Sequence, residues 1–141
     1  LYRVIMNNTR FATAIHIMTL LSKFPQEWLT SDWLAGSINV NPVIVRKEIG
    51  VLKEVGLIIS RKGKEGGSQL AKNASDISIS EIYSAVKNSE VLGKKNNNPN
   101  PACPVGKNIN THLGKLFTET DVLVCQFLGD KSLKEFTEHF D

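Results

Sequence analysis

The chain has 141 residues, of which 41% are hydrophobic and 22% are charged, values that are ordinary for a globular protein. This length suits one compact domain or a small domain with an appended helix. We find no apolar run long enough to cross a membrane and no signal-peptide pattern at the start. Two widely separated cysteines, Cys103 and Cys125, do not make a disulfide framework, so we expect a reducing, cytoplasmic location.

The net charge of +3 is distributed unevenly along the chain. Residues 1–72 have ten Lys or Arg and five Asp or Glu, a balance of +5. Residues 73–141 have seven and nine, a balance of −2. A basic half joined to a mildly acidic half is typical of a nucleic-acid-binding face attached to an assembly element. A chance imbalance on a solvated surface explains the charge equally well. The choice between these two interpretations therefore depends on the sequence motifs.

Apolar residues recur at helical spacing in three segments of the first half. The predicted helices cover residues 8–24, a short segment that includes residues 33–38, and residues 42–55. Polar side chains can cap their N-termini, and Pro or Gly suits the first position or the end of a helix. The capping and terminating residues are Thr9, Pro25, Thr30, Ser31, Asp32, Asn41, Pro42 and Gly56.

A β-hairpin is predicted directly after the third helix. Two short strands, over residues 57–60 and 68–71, flank a basic segment that is rich in glycine. Its glycines permit positive φ angles and close backbone approach, and its basic side chains make the tip cationic. The residues of this tip are Arg61, Lys62, Gly63, Lys64, Glu65, Gly66 and Gly67.

The second half is predicted to contain three more helices and a polar loop. Ser80 can cap a helix that ends at Val86, and residues 93–101 form an Asn- and Pro-rich loop that we expect to be mobile. A long helix extends to about Gly129, and a short helix begins at Ser132. The apolar positions of the long helix are Val105, Ile109, Leu113, Leu116, Phe117, Val124, Phe127 and Leu128.

These elements predict a mainly α fold with a small β-hairpin. Residues 1–72 would form a winged helix-turn-helix domain, in which two short helices joined by a tight turn precede the hairpin, which is called the wing. Residues 73–141 would supply the connecting helix, the polar loop and the long helix. We find no internal repeat.

The helix after the tight turn carries candidate DNA-contacting residues. The major groove admits one α-helix, whose N-terminal side chains reach the base edges. Asn41 can pair with adenine or bond a phosphate, Arg46 can reach guanine, and Val43 can touch a thymine methyl, whereas Lys47 suits a phosphate. Thr30, Ser31 and Pro42 complete this expected surface. The alternative is that Arg46 and Lys47 are only the solvated face of an amphipathic helix.

The wing tip is the second candidate contact with DNA. A cationic tip without bulky side chains can enter the minor groove, where phosphates on both sides deepen the negative potential. A basic turn also occurs simply for solubility. Its place directly after a turn-linked pair of helices favours DNA binding. The candidate residues are Arg61, Lys62, Gly63, Lys64, Gly66 and Gly67.

Residues 41–72 resemble the core of the Rrf2 family of winged-helix transcription regulators. The Gly56-Leu57 helix end, the Lys62-Gly63 tip, the Gly66-Gly67 pair and Leu70 occur in the family's order and spacing. The resemblance implies a homodimer, paired through its long C-terminal helix, that regulates transcription by binding double-stranded DNA. It also implies that Asn41, Val43 and Arg46 lie in the major groove, and Lys62 and Gly63 in the minor groove.

The cysteines depart from the pattern of the cluster-binding members of that family, which carry three cysteines before the dimerisation helix. This chain has only Cys103 there. One loop thiol per subunit cannot supply the converging thiolates that an iron–sulfur cluster needs. We therefore expect no cofactor, and the chain resembles the cluster-free (YwnA-like and CymR-like) branch. An iron–sulfur or metal-dependent regulator is the alternative.

Cys103 has two interpretations. It is expected at the N-cap of the long helix, with Pro104 at the first helical position, where a helix N-terminus lowers the pKa of a thiol and makes it more reactive. Lys107 would add to this effect, and Cys103 would then be a sensor thiol. The other interpretation is a structural or incidental cysteine. Cys125 is expected to be a small buried hydrophobic residue.

Other function classes find less support in the sequence. The three histidines have no metal-ligand spacing, and no catalytic triad, carboxylate pair or phosphate loop is present, so we predict neither a metal site nor an enzyme. A winged helix that binds protein instead of DNA is a further alternative, although such a module has no need of a cationic wing.

Overall fold

The structure is a computed structural model that describes residues 9–88 and 90–140. Six α-helices and a two-stranded antiparallel sheet make up these residues, which confirms the predicted mainly α fold with a β-hairpin. The elements are α1 (Arg10–Lys23), α2 (Ser31–Ile38), α3 (Pro42–Glu54), β1 (Ile58–Arg61), β2 (Gly67–Leu70), α4 (Ile79–Val86), α5 (Pro104–Gly129) and α6 (Leu133–Thr137). A short 3₁₀ turn, Ala74–Asp76, joins the hairpin to α4.

Capping hydrogen bonds confirm where α2 and α3 were predicted to begin. The side-chain oxygen of Thr30 accepts from the amide of Trp33 at 3.1 Å, and that of Asn41 accepts from the amide of Val43 at 2.9 Å. Pro42 occupies the first position of α3, where its missing N–H costs no helical hydrogen bond. Gly56 follows α3 with a φ of +84°, the left-handed conformation expected at a helix end.

The first helix differs from its prediction at the start. The predicted first residue, Asn8, lies outside the described residues. Thr9 occupies the N-cap position, but its side chain makes no capping hydrogen bond, so the prediction that Thr9 caps this helix is wrong. The helix ends at Lys23, one residue before the predicted Phe24.

The cap of α4 is Ser78, so the prediction of Ser80 is wrong. The Ser78 hydroxyl accepts from the amide of Glu81 at 3.3 Å, and the Glu81 carboxylate accepts from the amide of Ser78 at 3.0 Å. This reciprocal capping box satisfies two amides that would otherwise lack helical partners. The same arrangement at Ser132 and Glu135 begins α6, as predicted.

Leu29, the residue before the cap of α2, extends the hairpin. Strands β1 and β2 pair with each other in antiparallel orientation, and Ser60 lies opposite Ser68. Leu29 forms a further antiparallel bridge with Ser68, donating to its carbonyl at 3.1 Å and accepting from its amide at 2.9 Å. The wing is therefore hydrogen-bonded to the chain at the entrance to α2.

One hydrophobic core includes residues from both halves of the chain. It centres on α1, where Ala14, Ile17 and Met18 are fully buried. The second half contributes buried residues to the same cluster, including Ile82 of α4 and Leu133 of α6. The helices that follow the wing thus complete the core beneath the helix-turn-helix elements. The predicted division into regions 1–72 and 73–141 is untested and stays a prediction.

The segment before α5 is a loop, as predicted, and it touches that helix. Residues 94–100 contain neither helix nor strand. The side-chain NH₂ of Asn110 donates to the carbonyl of Asn96 at 2.9 Å, and a Cβ at Gly106 would lie 2.4 Å from the carbonyl oxygen of Asn100. The predicted mobility of this loop is not tested by these contacts.

Candidate nucleic-acid interface

Helix α3 has an exposed face that carries the residues predicted to read DNA. Val43 and Ile44 are 61% and 44% exposed, although both are hydrophobic. Asn41, Arg46 and Lys47 are exposed beside them. The opposite face of the helix is buried and consists of Val45, Glu48, Ile49 and Leu52. The helix thus presents apolar and cationic side chains together, which suits contact with base edges and phosphates.

A tight turn holds α2 and α3 together. Asn39 adopts a left-handed conformation with a φ of +64°, and its amide donates to the carbonyl of Ala35 at 2.7 Å. The amide of Val40 donates to the same carbonyl at 3.2 Å. Asn41 caps the start of α3, and its side-chain oxygen accepts the capping hydrogen bond from the amide of Val43. Its side-chain NH₂ can still donate to a base or a phosphate.

Arg46 lies next to the start of α2. A guanidinium nitrogen of Arg46 is 4.0 Å from a carboxylate oxygen of Asp32, and both side chains are largely exposed. Such a long, solvated ion pair contributes little to stability. Arg46 can therefore exchange Asp32 for a DNA acceptor at small cost.

An ion pair that we did not predict fastens the inner face of α3 to α1. Arg10 donates to both carboxylate oxygens of Glu48, at 2.8 and 2.9 Å. The Glu48 side chain is 2% exposed, and that of Arg10 is 25% exposed. Donating to the Glu48 carboxylate raises the pKa of the Arg10 guanidinium. The bidentate pair fixes which face of α3 points inward.

The tip of the wing presents two exposed lysines, Lys62 and Lys64. Arg61, also predicted to bind DNA, is engaged within the wing. Its guanidinium donates to the carbonyl of Glu65 at 3.1 and 2.5 Å and lies over the ring of Trp28, 4.5 Å from its centre. Arg61 thus orders the wing, and its predicted contact with DNA is not tested.

Each glycine of the wing meets at least one of the two predicted needs, a positive φ or a close backbone approach. Gly63 has a φ of +99°, which a residue with a Cβ rarely adopts. A Cβ at Gly66 would lie 2.2 Å from the carbonyl oxygen of Arg61. A Cβ at Gly67 would lie within 2.8 Å of the backbone of Leu29. The glycines therefore let the wing fold closely on itself and on the strand-like segment before α2.

The two cysteines both belong to the region of α5, in different surroundings. Cys103 is exposed at the N-cap, as predicted, and the amides of Gly106 and Val105 lower the pKa of its thiol. These amides, and not the predicted Lys107, account for the lowering. Cys125 is partly exposed, so the prediction of a buried core residue is wrong. It lies on α5 outside the main core cluster.

Among the described residues, no group of three or more His, Cys, Asp and Glu side chains is arranged to hold a metal ion. None of the described helices combines the length and apolarity that a membrane span requires. The expectation that the protein uses no cofactor remains a prediction.

The tight turn between α2 and α3, followed by a β-hairpin packed on the start of α2, defines a winged helix-turn-helix protein. The chain also matches the family model "Rrf2: Iron-dependent Transcriptional regulator" over residues 7–139. The chain belongs to the Rrf2 family, which confirms the resemblance found in the sequence.

Individual relatives agree with this assignment. The chain is 42% identical over 134 residues to YwnA of Bacillus subtilis (strain 168), a protein named as an HTH-type transcriptional regulator, with 95% of this chain and 98% of YwnA covered. It is 37% identical to a solved structure of a protein named as DNA-binding, with a TM-score of 0.72 and coverage of 90% and 97%. CymR of B. subtilis, named the global cysteine regulator, shares the fold with a TM-score of 0.71 at 18% identity, over 98% of this chain and 100% of CymR. The protein is a DNA-binding transcription regulator, not an enzyme.

We predict that Glu48→Gln destabilises the protein by about 2 kcal/mol, because two charge-assisted hydrogen bonds to a buried carboxylate are then replaced by contact with a neutral amide that has a single acceptor oxygen. Urea unfolding followed by circular dichroism measures the change. Glu54→Gln, at the exposed end of α3, is the matched control and should leave the free energy of unfolding within about 0.5 kcal/mol of the wild type. Equal stability of the two variants would show that the ion pair contributes nothing.

Proposed function

We propose that the protein acts as a homodimeric repressor on a pseudo-palindromic operator in the cytoplasm. In this proposal α3 enters the major groove through Asn41, Val43 and Arg46, and Lys62 and Lys64 of the wing follow the adjacent minor groove. The observation that carries the proposal is the outward face of α3, where exposed Val43 and Ile44 lie beside Arg46 and Lys47.

The surroundings of α3 support the same arrangement. Asp32 links Arg46 to the start of α2, and the Leu29–Ser68 bridge links the start of α2 to the wing. The start of α2, the first turns of α3 and the base of the wing are therefore neighbours. Thr30 and Ser31 lie at the N-terminus of α2, and the partial positive charge of a helix N-terminus favours binding of a phosphate.

A mutation test separates base reading from phosphate binding. Genomic fragments selected by the protein first supply an operator, and fluorescence anisotropy then measures affinity against salt concentration. Arg46→Ala should lose about 1–3 kcal/mol on that operator and discriminate less against altered bases. Lys62→Gln should weaken binding to all sequences and reduce the salt slope by about one unit.

Lys134→Gln on α6 is the control for this test, because it removes an exposed lysine from outside the proposed DNA surface. It should leave both the affinity and the salt slope unchanged. Wild-type affinity and salt dependence in both Arg46→Ala and Lys62→Gln would refute the proposed DNA surface.

Dimerisation is proposed from the apolar surface of α5. Leu116, Leu123 and Phe127 are 57%, 66% and 62% exposed, and their spacing of seven and four residues puts them on one stripe of the helix. Val105 continues the stripe towards the N-terminus. An exposed apolar stripe on a helix of this length is typical of a protein–protein interface. Pairing across a two-fold axis would cover it in both subunits.

Not every predicted residue of the long helix is available for that interface. Phe117 is buried in its own chain, and Leu128 packs against the main core. Ile109, Leu113 and Val124 are partly exposed. Leu123, absent from the predicted set, is the most exposed apolar residue of the central stripe.

We predict that Leu123→Glu turns the dimer into a monomer, because the paired helices would bury two carboxylates without partners. Sedimentation equilibrium measures the change in mass. Thr111→Glu adds the same charge to an exposed position on another side of α5 and should leave the dimer intact. If the two variants had equal association constants, α5 would not be the dimer interface.

The protein is proposed to work without an iron–sulfur cluster, although the description of its family names iron. Cys103 is the only cysteine in the segment before α5, and Cys125 lies about six helical turns away. Two sites so far apart on one rigid helix cannot converge on the same irons. Iron analysis and a visible absorption spectrum of anaerobically purified protein test this proposal.

Thiol-based sensing by Cys103 is a proposed extension of the regulator function. The exposed thiol and the two amides that lower its pKa favour the thiolate, which is the reactive form. Attack of the thiolate on hydrogen peroxide breaks the O–O bond, gives a sulfenic acid and releases hydroxide. The new group at the N-terminus of α5 would alter the dimer and so the spacing of the two α3 helices.

Because the pKa of Cys103 is lowered, we predict that its alkylation rate reaches half of its maximum at a lower pH than that of an unperturbed cysteine in a short unstructured peptide. Iodoacetamide labelling across pH, in the Cys125→Ala variant, measures the midpoint. A midpoint at or above the unperturbed value would contradict the prediction. For sensing, peroxide should change operator binding of the wild type but not of Cys103→Ser, and identical responses would exclude Cys103 as the sensor.

A further inference from the structure

An apolar groove lies on the surface where α1 meets the C-terminal residues of α6 and beyond, away from the α5 stripe described above. It encloses about 460 Å³, within the range of small-molecule sites in proteins. Ile15 and Leu20 line it from α1, and Phe136 and Phe140 line it from the C-terminal end of the described chain. Phe140 is 48% exposed, so a large aromatic surface faces the solvent across the groove.

The titratable side chains in the described lining of the groove are basic, and the other polar ones, Thr19 and Ser37, are neutral hydroxyls. Its described lining includes Lys23 and His16 and no acidic side chain. The ammonium group of Lys23 donates to the carbonyl oxygen of Phe140, and the Nε2 atom of His16 is 3.0 Å from the hydroxyl of Ser37. An ammonium group has three donors, so Lys23 can bind an anion while it keeps its carbonyl partner.

We propose that this groove binds a small hydrophobic carboxylic acid, and that its occupancy changes the affinity for DNA. Shape and charge both select this class of ligand. The apolar walls suit an aliphatic or aromatic body, and Lys23 complements one negative charge. A few polar groups at the edge of an apolar site are the usual arrangement for a ligand that must be oriented as well as buried.

The groove lies beside the helices that position the DNA-contacting residues. His16 connects α1 to Ser37 on α2, and Arg10 connects the same α1 to Glu48 on α3. A ligand in the groove would either push α6 away from α1 or hold the two helices together. In both cases it would act on α1, to which α2 and α3 are attached. The effect on DNA affinity rests on the proposed function, whereas binding of the ligand does not.

Calorimetric titration of the whole protein with octanoate, and with octanamide as the uncharged analogue, tests the groove directly. Octanoate should bind, and Lys23→Gln should weaken it about tenfold while it changes octanamide binding less than about twofold. Lys134→Gln, on α6 outside the groove, should leave both unchanged. Equal losses for the two ligands, or no octanoate binding by the wild type, would overturn the charge-based assignment.

The Ala12→Trp variant blocks the groove from an exposed position on α1 and provides a second test. It should abolish octanoate binding while its thermal unfolding remains cooperative. Octanoate should shift DNA affinity severalfold in the wild type and not in this variant. Undiminished octanoate binding by Ala12→Trp would overturn the proposed site. If the wild-type dimer did not bind octanoate, the groove would instead be assigned to contact with the second copy of the chain. Failure of DNA binding alone would refute the proposed function and leave the calorimetric result standing.

Discussion

The ion pair between Arg10 and Glu48 fixes the orientation of α3, the helix proposed to face DNA. A carboxylate on the buried side of α3 is costly to place without a partner, and the bidentate guanidinium removes that cost only in one rotational setting of the helix. Turning α3 about its axis would separate the pair and also move Val45, Ile49 and Leu52 away from the core. The outward positions of Val43 and Arg46 therefore depend on a contact made on the opposite side of the same helix.

The core joins the helices after the wing to the helix-turn-helix elements. Helix α1 contacts α3, α4 and α6, and all four helices contribute to one cluster of apolar side chains. A well-packed core transmits displacements because it has few voids in which to absorb them. A change at the C-terminal end of the chain can thus reach α3 through α1, without any movement of the wing tip.

The sequence predicted well those features that local chemistry decides. The Asn41-Pro42 start of α3, the Gly56 end and the glycines of the wing each follow from the conformational needs of one or two residues. The cap of α4 was mispredicted because Ser78 and Ser80 can both cap a helix. Glu81, three residues after Ser78, completes the capping box and was the signal that decided between them.

Contacts between distant residues could not be predicted from periodicity. Arg10 and Glu48 are 38 residues apart, and the only sign of their pairing was a glutamate within the apolar stripe of α3. The engagement of Arg61 with Trp28 and Glu65 was hidden for the same reason, since a basic residue in a turn looks solvent-exposed in a sequence. Periodicity also could not tell which apolar residues of α5 are covered by their own chain, as Phe117 is, and which are left bare, as Leu123 is.

The backbone bridge between Leu29 and Ser68 has a consequence for the DNA sequence that the protein can use. With both hydrogen bonds of the bridge made and Ser68 buried, the wing is attached to the start of α2 and cannot swing independently of it. In the proposed dimer, each subunit would then meet its half-site with the wing and the start of α2 held together. One extra base pair between the half-sites would rotate the second by about 35° around the DNA axis, since B-DNA has roughly 10.5 base pairs per turn. The proposed dimer could follow such a change only by twisting the DNA or bending its own paired helices, so the spacing of the half-sites would be constrained as well as their sequence.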